Sequence, residues 1–147
     1  FVTNLDFFKP SHGSRTNEVI IFSSGRLDIA HKGYDVALNV LGKVKHTNFT
    51  YNIAGSGPDK ALIGDLITKN GLVDNVNLLG WTEINSLVKC YQSCTIFLHP
   101  SNFDPFPNAV LEAMACGCLV VASDAAGSAR DRIEDGKKVV KYYTDDN

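Results

Sequence analysis

Apolar positions in this chain alternate between short β-branched runs and longer stretches with helical spacing. Val19-Ile20-Ile21-Phe22 is continuously apolar and ends in Ser23-Ser24-Gly25. Such a run suits a strand buried on both faces and central in its sheet. From about Gly33 to Lys45, Val36, Val40 and Val44 recur every four residues beside Ala37 and Leu41, which predicts a helix with one apolar face. The cycle repeats with a strand over Phe49 to Ala54 and a helix over Asp59 to Lys69, with Leu62 and Leu66 beside Ile63 and Ile67. Gly71 neighbours the C-terminal cap of that helix, and a strand follows at Val76 to Leu79. A third cycle gives a helix over Asn85 to Gln92 and a strand over Thr95 to Leu98, then a helix over Pro107 to Cys116 and a strand over Leu119 to Ala122. Ala129 to Glu134 reads as a short helix and Lys138 to Tyr143 as a last strand.

Strands alternating with helices of this length specify right-handed crossovers and a parallel sheet with helices on both faces. The expected fold is α/β, a Rossmann-like doubly wound domain over residues 19–147, with its ligand at the carboxyl ends of the strands. Residues 1–18 mix aromatics with Pro10, Gly13 and several polar residues, as an interdomain linker lying on a surface would.

Composition narrows the function classes. At 147 residues the chain fits one domain, and 44% hydrophobic with 20% charged residues excludes a disordered tail. Fourteen basic against sixteen acidic residues give a net charge of −2, so no broad basic surface exists for nucleic acid, and any anion must be held locally. No apolar stretch approaches the roughly 18 residues of a membrane span, and no signal peptide opens the chain. Phe1-Val2-Thr3-Asn4 reads as a cut made within a longer protein. Cys90, Cys94, Cys116 and Cys118 are too few for a disulfide scaffold and have no His close by to complete a zinc pattern. They read as buried structural thiols in a reducing compartment.

Candidate chemistry sits in the loops after strands. Arg26 and Lys32 lie between a strand end and a helix start, where two cations beside unpaired helix N–H groups make an anion site; the alternative is two solvated surface charges. His31 either assists or is an exposed bystander. Gly55-Ser56-Gly57-Pro58-Asp59-Lys60 superficially resembles a dinucleotide fingerprint but lacks its third glycine, which weakens an NAD reading; a tight turn into a helix capped near Asp59 is the alternative. The richest segment runs from His99 to Gly117. Pro107 suits a first helical position, so the N–H groups of Asn108, Ala109 and Val110 are predicted to point into the cleft. Glu112 lies one turn deeper on the face of Asn108, and Asp104 projects from the preceding loop. Two carboxylates bracketing amides suit a phosphate flanked by sugar hydroxyls; general acid and base work is a second reading, and a helix-entry residue with an exposed helix charge a third. Ala109, Ala113 and Cys116 form the expected core-facing row, with Met114 beside them.

Gly25-Arg26-Leu27 with Lys32-Gly33, Ile53-Ala54-Gly55-Ser56-Gly57-Pro58, Asn75-Val76-Asn77-Leu78-Leu79-Gly80 and Glu112-Ala113-Met114-Ala115-Cys116-Gly117 stand in a particular order and spacing. Together they resemble the C-terminal, donor-binding domain of retaining GT-B glycosyltransferases of the family 4 type, over about residues 19–140. Asn4-Leu5-Asp6 with Phe8-Lys9-Pro10 is similar to the segment by which that family enters its second domain. The resemblance implies transfer of a hexose from a UDP- or GDP-sugar to a glycan or lipid-linked acceptor, without metal or other cofactor. It implies that Arg26 and Lys32 hold the donor diphosphate and stabilise the departing nucleoside diphosphate. Glu112 matches the second carboxylate of the family's Glu, seven residues, Glu motif and binds ribose hydroxyls. Asp104 takes the first position, where the family usually has Glu, and contacts the transferred sugar; being one methylene shorter, it leaves the sugar open.

The amides of Asn108 and Ala109 meet the phosphate, and Phe106-Pro107-Asn108 is a variant of a glycine-containing turn. Gly55 lines the cleft, and Trp81 and Thr82 face the nucleobase, with a partly buried structural Trp as the other reading of Trp81. The family's acceptor-binding N-terminal domain and its closing C-terminal helices have no counterpart here, so the chain reads as an excised domain, expected to bind nucleotide weakly and transfer nothing. A cytoplasmic location follows, peripheral to the inner face of a membrane where the acceptor is lipid-linked. The competing classes are a non-catalytic nucleotide-binding Rossmann module and, more distantly, a Rossmann oxidoreductase.

Overall fold

The computed structural model describes residues 4–11, 17–127 and 139–142. Along them run β1 (Val19–Ser24), α1 (Ile29–Lys32), α2 (Tyr34–Lys43), β2 (Phe49–Ala54), α3 (Lys60–Lys69), β3 (Val76–Gly80), α4 (Ile84–Ser93), β4 (Ile96–His99), α5 (Asn108–Ala115), β5 (Leu119–Ser123) and β6 (Val139–Tyr142). The strands form one parallel sheet in the order β3-β2-β1-β4-β5-β6. This is the Rossmann-like architecture that the alternation predicts. Strand order reverses between β1 and β4, where Ile21 pairs with Ile96 and Phe22 with Phe97. The crevice beyond the carboxyl ends at such a reversal is where these sheets take their ligands.

The two faces of the sheet build two apolar clusters. Ile21 belongs to one, with Leu38, Tyr51, Ile53 and Ile63, and Phe22 to the other, with Tyr91, Phe97, Val110 and Val120. Neighbouring residues of one strand point to opposite faces, so β1 feeds both cores and is buried as its continuous apolar run requires.

Several helical details depart from the periodicity. The helix expected from Gly33 is α2, and a short helix that the periodicity does not show, α1, precedes it: Gly33, at φ 62, ends α1 and starts α2. The buried side of α2 is Tyr34, Ala37, Leu38 and Leu41, whereas Val40 and Val44 are 55% and 41% exposed. A row repeating every four residues does not distinguish the core face from the row beside it, and here the bulk of Tyr34, Leu38 and Leu41 decides. Val36 and Val40 instead border an apolar hollow of about 400 Å³ with Ile21, Ile96, Leu98 and Val121. On α3 Ile63 and Ile67 are buried and Leu62 is exposed. Gly71 ends α3 as expected, its N–H donating to the Thr68 carbonyl while that of Leu72 reaches Ile67. On α5 the buried row is Val110 and Ala113, continued by Cys116 at the C-cap, with Ala109 turned partly to solvent.

The N-terminal segment is more than a surface connector, because Phe8 is 5% exposed and meets the Tyr91 ring edge-on with centroids 5.9 Å apart. The Gln92 side-chain amide donates to the Lys9 carbonyl at 2.9 Å. The helix expected over Ala129 to Glu134 lies outside the described residues, as do Lys138 and Tyr143 at the ends of the last predicted strand.

Glycine substitutions separate the local constraints. Gly33 is left-handed, and a Cβ there would overlap the Pro100 carbonyl oxygen, which is backbone and cannot yield as a side-chain tip can. Gly64, inside α3, has open space around its would-be Cβ. In urea unfolding, Gly33→Ala is expected to lose about 2 kcal/mol or more and Gly64→Ala to gain about 0.5–1 kcal/mol. Equal midpoints for the two variants would contradict this packing.

Candidate functional site

The loops at the carboxyl edge are locked to one another by backbone contacts. The Leu27 N–H donates to the Ser56 carbonyl and the Asp59 N–H to the Leu27 carbonyl, both at 3.0 Å. Asp59 Oδ2 accepts from the Ile29 N–H at 2.8 Å, so this carboxylate caps α1 and makes no side-chain cap bond to its own helix α3. A Cβ on Gly55 would overlap the Gly25 carbonyl, and one on Gly57 would overlap the Leu27 backbone. These glycines therefore serve loop-on-loop packing; the turn reading holds for this segment, with Asp59 at the N-cap of α3 and its side chain turned to the Ile29 N–H instead of its own helix.

The β4–α5 loop docks on α1 in turn. Asn102 and Phe103 donate their N–H groups to the His31 carbonyl at 2.9 and 3.2 Å, and the Asn102 side-chain amide donates to Ala30 at 3.2 Å. They satisfy carbonyls that the end of a helix leaves unpaired. From the other side, the Ser123 hydroxyl donates to the Ser101 carbonyl and the Gly127 N–H to that of Asp104.

That docking brings Lys32 to Asp104, with Nζ 2.5 Å from Oδ2. His99, 3% exposed at the end of β4, places Nε2 3.3 Å from the same oxygen and 3.0 Å from Ser101 Oγ. Burial alone would raise the Asp104 pKa, but hydrogen bonds from His99 and Lys32 and their charges outweigh it and lower it to about 2. Asp104 is thus a carboxylate at neutral pH and an acceptor. Lys32 is paired with it, whereas Arg26 is exposed. His31 is 61% exposed and held by Asp28 at 3.0 Å, so it does not join the cations.

Beside this cluster opens a cleft of about 360 Å³, whose walls bring together Arg26, Gly55, Trp81, Thr82 and Ala109, with Ser24 and Leu87. The Lys32 stem runs past Gly25 at the rim, where a Cβ would lie 3.7 Å from its Cε. Trp81 is 74% exposed, so it is no structural core residue. Glu112 stands behind the Ser24 wall: the Tyr91 hydroxyl donates to Glu112 Oε2 at 2.9 Å and lies 2.6 Å from Ser24 Oγ. Burial raises the Glu112 pKa, and the Tyr91 hydrogen bond opposes that rise.

At the start of α5, Pro107 is the N-cap rather than the first helical residue, and the Val110 N–H donates to its carbonyl at 3.2 Å. Of the three N–H groups predicted to point into the cleft, that of Val110 is therefore taken up within the first turn. Asn108 and Phe106 are exposed, and neither borders the cleft. Tyr91 and His99 join the site without being singled out by the sequence pattern. A lone tyrosine in an amphipathic stretch reads as core, and His99 directly after a strand was the available signal for the second. Among the described residues no group of three or more His, Cys, Asp or Glu is arranged to hold a metal, and no helix is long and apolar enough to cross a membrane.

Known proteins are similar to this chain in sequence and fold. An uncharacterised glycosyltransferase of Methanocaldococcus jannaschii is 34% identical over 82% of this chain and 31% of its own length. The N-acetylgalactosamine-N,N'-diacetylbacillosaminyl-diphospho-undecaprenol 4-alpha-N-acetylgalactosaminyltransferase of Campylobacter jejuni is 33% identical over 78% of this chain and 30% of its own. The chain thus spans about a third of the length of these relatives. Sucrose-phosphate synthase of Thermosynechococcus elongatus superposes with a TM-score of 0.84 at 25% identity, over 98% of this chain and 38% of that one. The model of the glycosyl transferases group 1 family matches residues 5–147. With that match over a parallel sheet ordered as above, the chain belongs to the glycosyl transferases group 1 family and has the Rossmann-like architecture of a GT-B domain.

Proposed function

We propose that the chain is the donor-binding domain of a retaining glycosyltransferase that moves a hexose from a UDP- or GDP-sugar to a glycan or lipid-linked acceptor. The observation that carries this reading is the cleft at the strand-order reversal, which gathers Arg26, Gly55, Trp81, Thr82 and Ala109 from four separate loops or helices. A lipid-linked acceptor draws support from the Campylobacter relative, named for transfer onto a diphospho-undecaprenol-linked sugar.

Each group has a chemical task in this reading. Arg26 offers a fork of donors to the diphosphate, and the Asn108 and Ala109 amides add two more at a helix start. The exposed Trp81 ring stacks on the base. Glu112, aimed by Tyr91, accepts from ribose hydroxyls, and the ionised Asp104 accepts from hydroxyls of the sugar. When the nucleoside diphosphate leaves, negative charge grows on its terminal phosphate, and Arg26 with Lys32 stabilises it. These cations take the role a divalent ion would otherwise fill. The acceptor is assigned to parts of the protein beyond this chain, so transfer itself is expected of the longer protein.

Calorimetric titration with UDP, GDP, ADP and NAD tests the reading. A nucleoside diphosphate binds and NAD does not; chelator leaves the affinity unchanged. Arg26→Ala weakens binding about tenfold or more, the scale of a lost charge-assisted contact. Glu112→Gln weakens the nucleoside diphosphate but leaves inorganic pyrophosphate unaffected. Equal affinities in all variants would remove the site.

Asp104 has a pH signature of its own. Its folded pKa, about 2, lies below the ordinary 3.8, so its contribution to stability is present above pH 3.8 and lost as pH falls through about 2. Allowing for solvent screening of a partly exposed pair, wild type is expected to lose about 1 kcal/mol more than Asp104→Asn across that window in urea unfolding. Parallel pH profiles would contradict the ion pair.

A further inference from the structure

Away from the cleft, Cys94 closes α4 and Cys118 follows the Gly117 turn at the end of α5. Parallel pairing of β4 with β5, Ile96 opposite Leu119, brings the two together across 24 residues of chain. Their sulfurs are 3.0 Å apart, inside ordinary sulfur–sulfur contact. A disulfide bond is about 2.05 Å, so roughly 1 Å of approach would close it. Both thiols also converge on one acceptor: Cys118 Sγ lies 3.0 Å and Cys94 Sγ 3.3 Å from the Tyr91 carbonyl oxygen. That oxygen sits at the end of α4, where carbonyls lack helical partners, and it fixes the two sulfurs side by side. Cys94 is fully buried and Cys118 partly exposed, so one thiol is reachable from solvent and the other waits behind it.

We propose that Cys94 and Cys118 are a reversible disulfide site, oxidised by exchange with a small disulfide such as oxidised glutathione. The Cys118 thiolate attacks one glutathione sulfur and expels the first glutathione thiolate. The Cys94 thiolate then attacks the Cys118 sulfur and expels the second. The protein gives up two protons and two electrons, and one small disulfide becomes two thiols. The sulfur contact at 3.0 Å singles out Cys94 and Cys118 from Cys90 and Cys116. Burial pushes the Cys90 thiol up, and burial with neighbouring Cys118 and Glu112 pushes that of Cys116 up to about 11, which keeps both protonated and weakly nucleophilic. Closing the bond removes both S–H donors from the Tyr91 carbonyl. The state of the pair is therefore registered at the residue whose hydroxyl reaches Ser24 and Glu112.

The test treats the reduced chain with oxidised glutathione at neutral pH, then titrates thiols under denaturing conditions and measures the intact mass. Two of the four thiols are expected to disappear, with a mass loss of two hydrogens and, after proteolysis, a linked peptide joining Cys94 to Cys118. Dithiothreitol restores all four. Cys94→Ser stops at a glutathione adduct on Cys118, while the double variant Cys90→Ser, Cys116→Ser still forms the bridge. Four titratable thiols after treatment, persistent glutathione adducts on wild type, or a bridge mapped to other cysteines would overturn the proposal, and the wild-type mapping decides it even if a variant fails to fold.

Discussion

A phenol hydroxyl withdrawn from water must find partners, and Tyr91, fully buried, finds them at two places that have to stay in register. It lies 2.6 Å from Ser24 Oγ, at the end of β1, and donates to Glu112 on α5 at 2.9 Å. Leaving such groups unpaired costs about 1–3 kcal/mol each, so α4 cannot drift from either neighbour without penalty. The ring is held as firmly, edge-on to Phe8 and Phe22 and tilted against Phe97, with centroids 5.1 to 5.9 Å away. Burial, with the Glu112 charge beside it, raises the Tyr91 pKa well above its ordinary value, so the hydroxyl remains a donor across the working pH range. One side chain thus ties the core to a carboxylate of the candidate site.

The other half of the site depends on backbone approach. Where the β1–α1 and β2–α3 loops meet, no Cβ fits at Gly55 against the Gly25 carbonyl, and at Gly33 none fits against Pro100. Loops packed this closely hydrogen-bond one another through peptide groups, so the cleft side chains project from a fixed frame rather than from mobile connectors. The same frame sets Lys32 on Asp104 with His99 behind it. The cluster is therefore a consequence of loop packing before it is a feature of chemistry.

Much of the fold was legible because its elements are separate apolar runs long enough to show a period. β1, β2 and α3 fall within two residues of expectation, and so do α4, β4 and β5. Helix α1, only four residues long, shows no period at all. In α2 the expected Ala37 and Leu41 are buried, while Val40 and Val44 on the row beside them stay exposed, since volume rather than period chose the buried face. Phe8 enters the core through a segment whose composition reads as a connector. At the site, sequence picked out Arg26, Trp81, Thr82 and Ala109, which do share a cleft. It could not foresee that Lys32 meets Asp104, 72 residues away, because that contact exists only once β1 and β4 are neighbours. Nor could it tell whether Gly55 and Gly57 clear space for a phosphate or for another backbone.

Amide chemical-shift mapping of the labelled domain during titration with a nucleoside diphosphate reads out the candidate cleft residue by residue. The largest changes are expected on Gly25, Arg26, Asn108 and Ala109, together with the Trp81 indole N–H. Changes confined to the apolar hollow beside Val36 and Val40, or none at saturating nucleotide, would contradict this site.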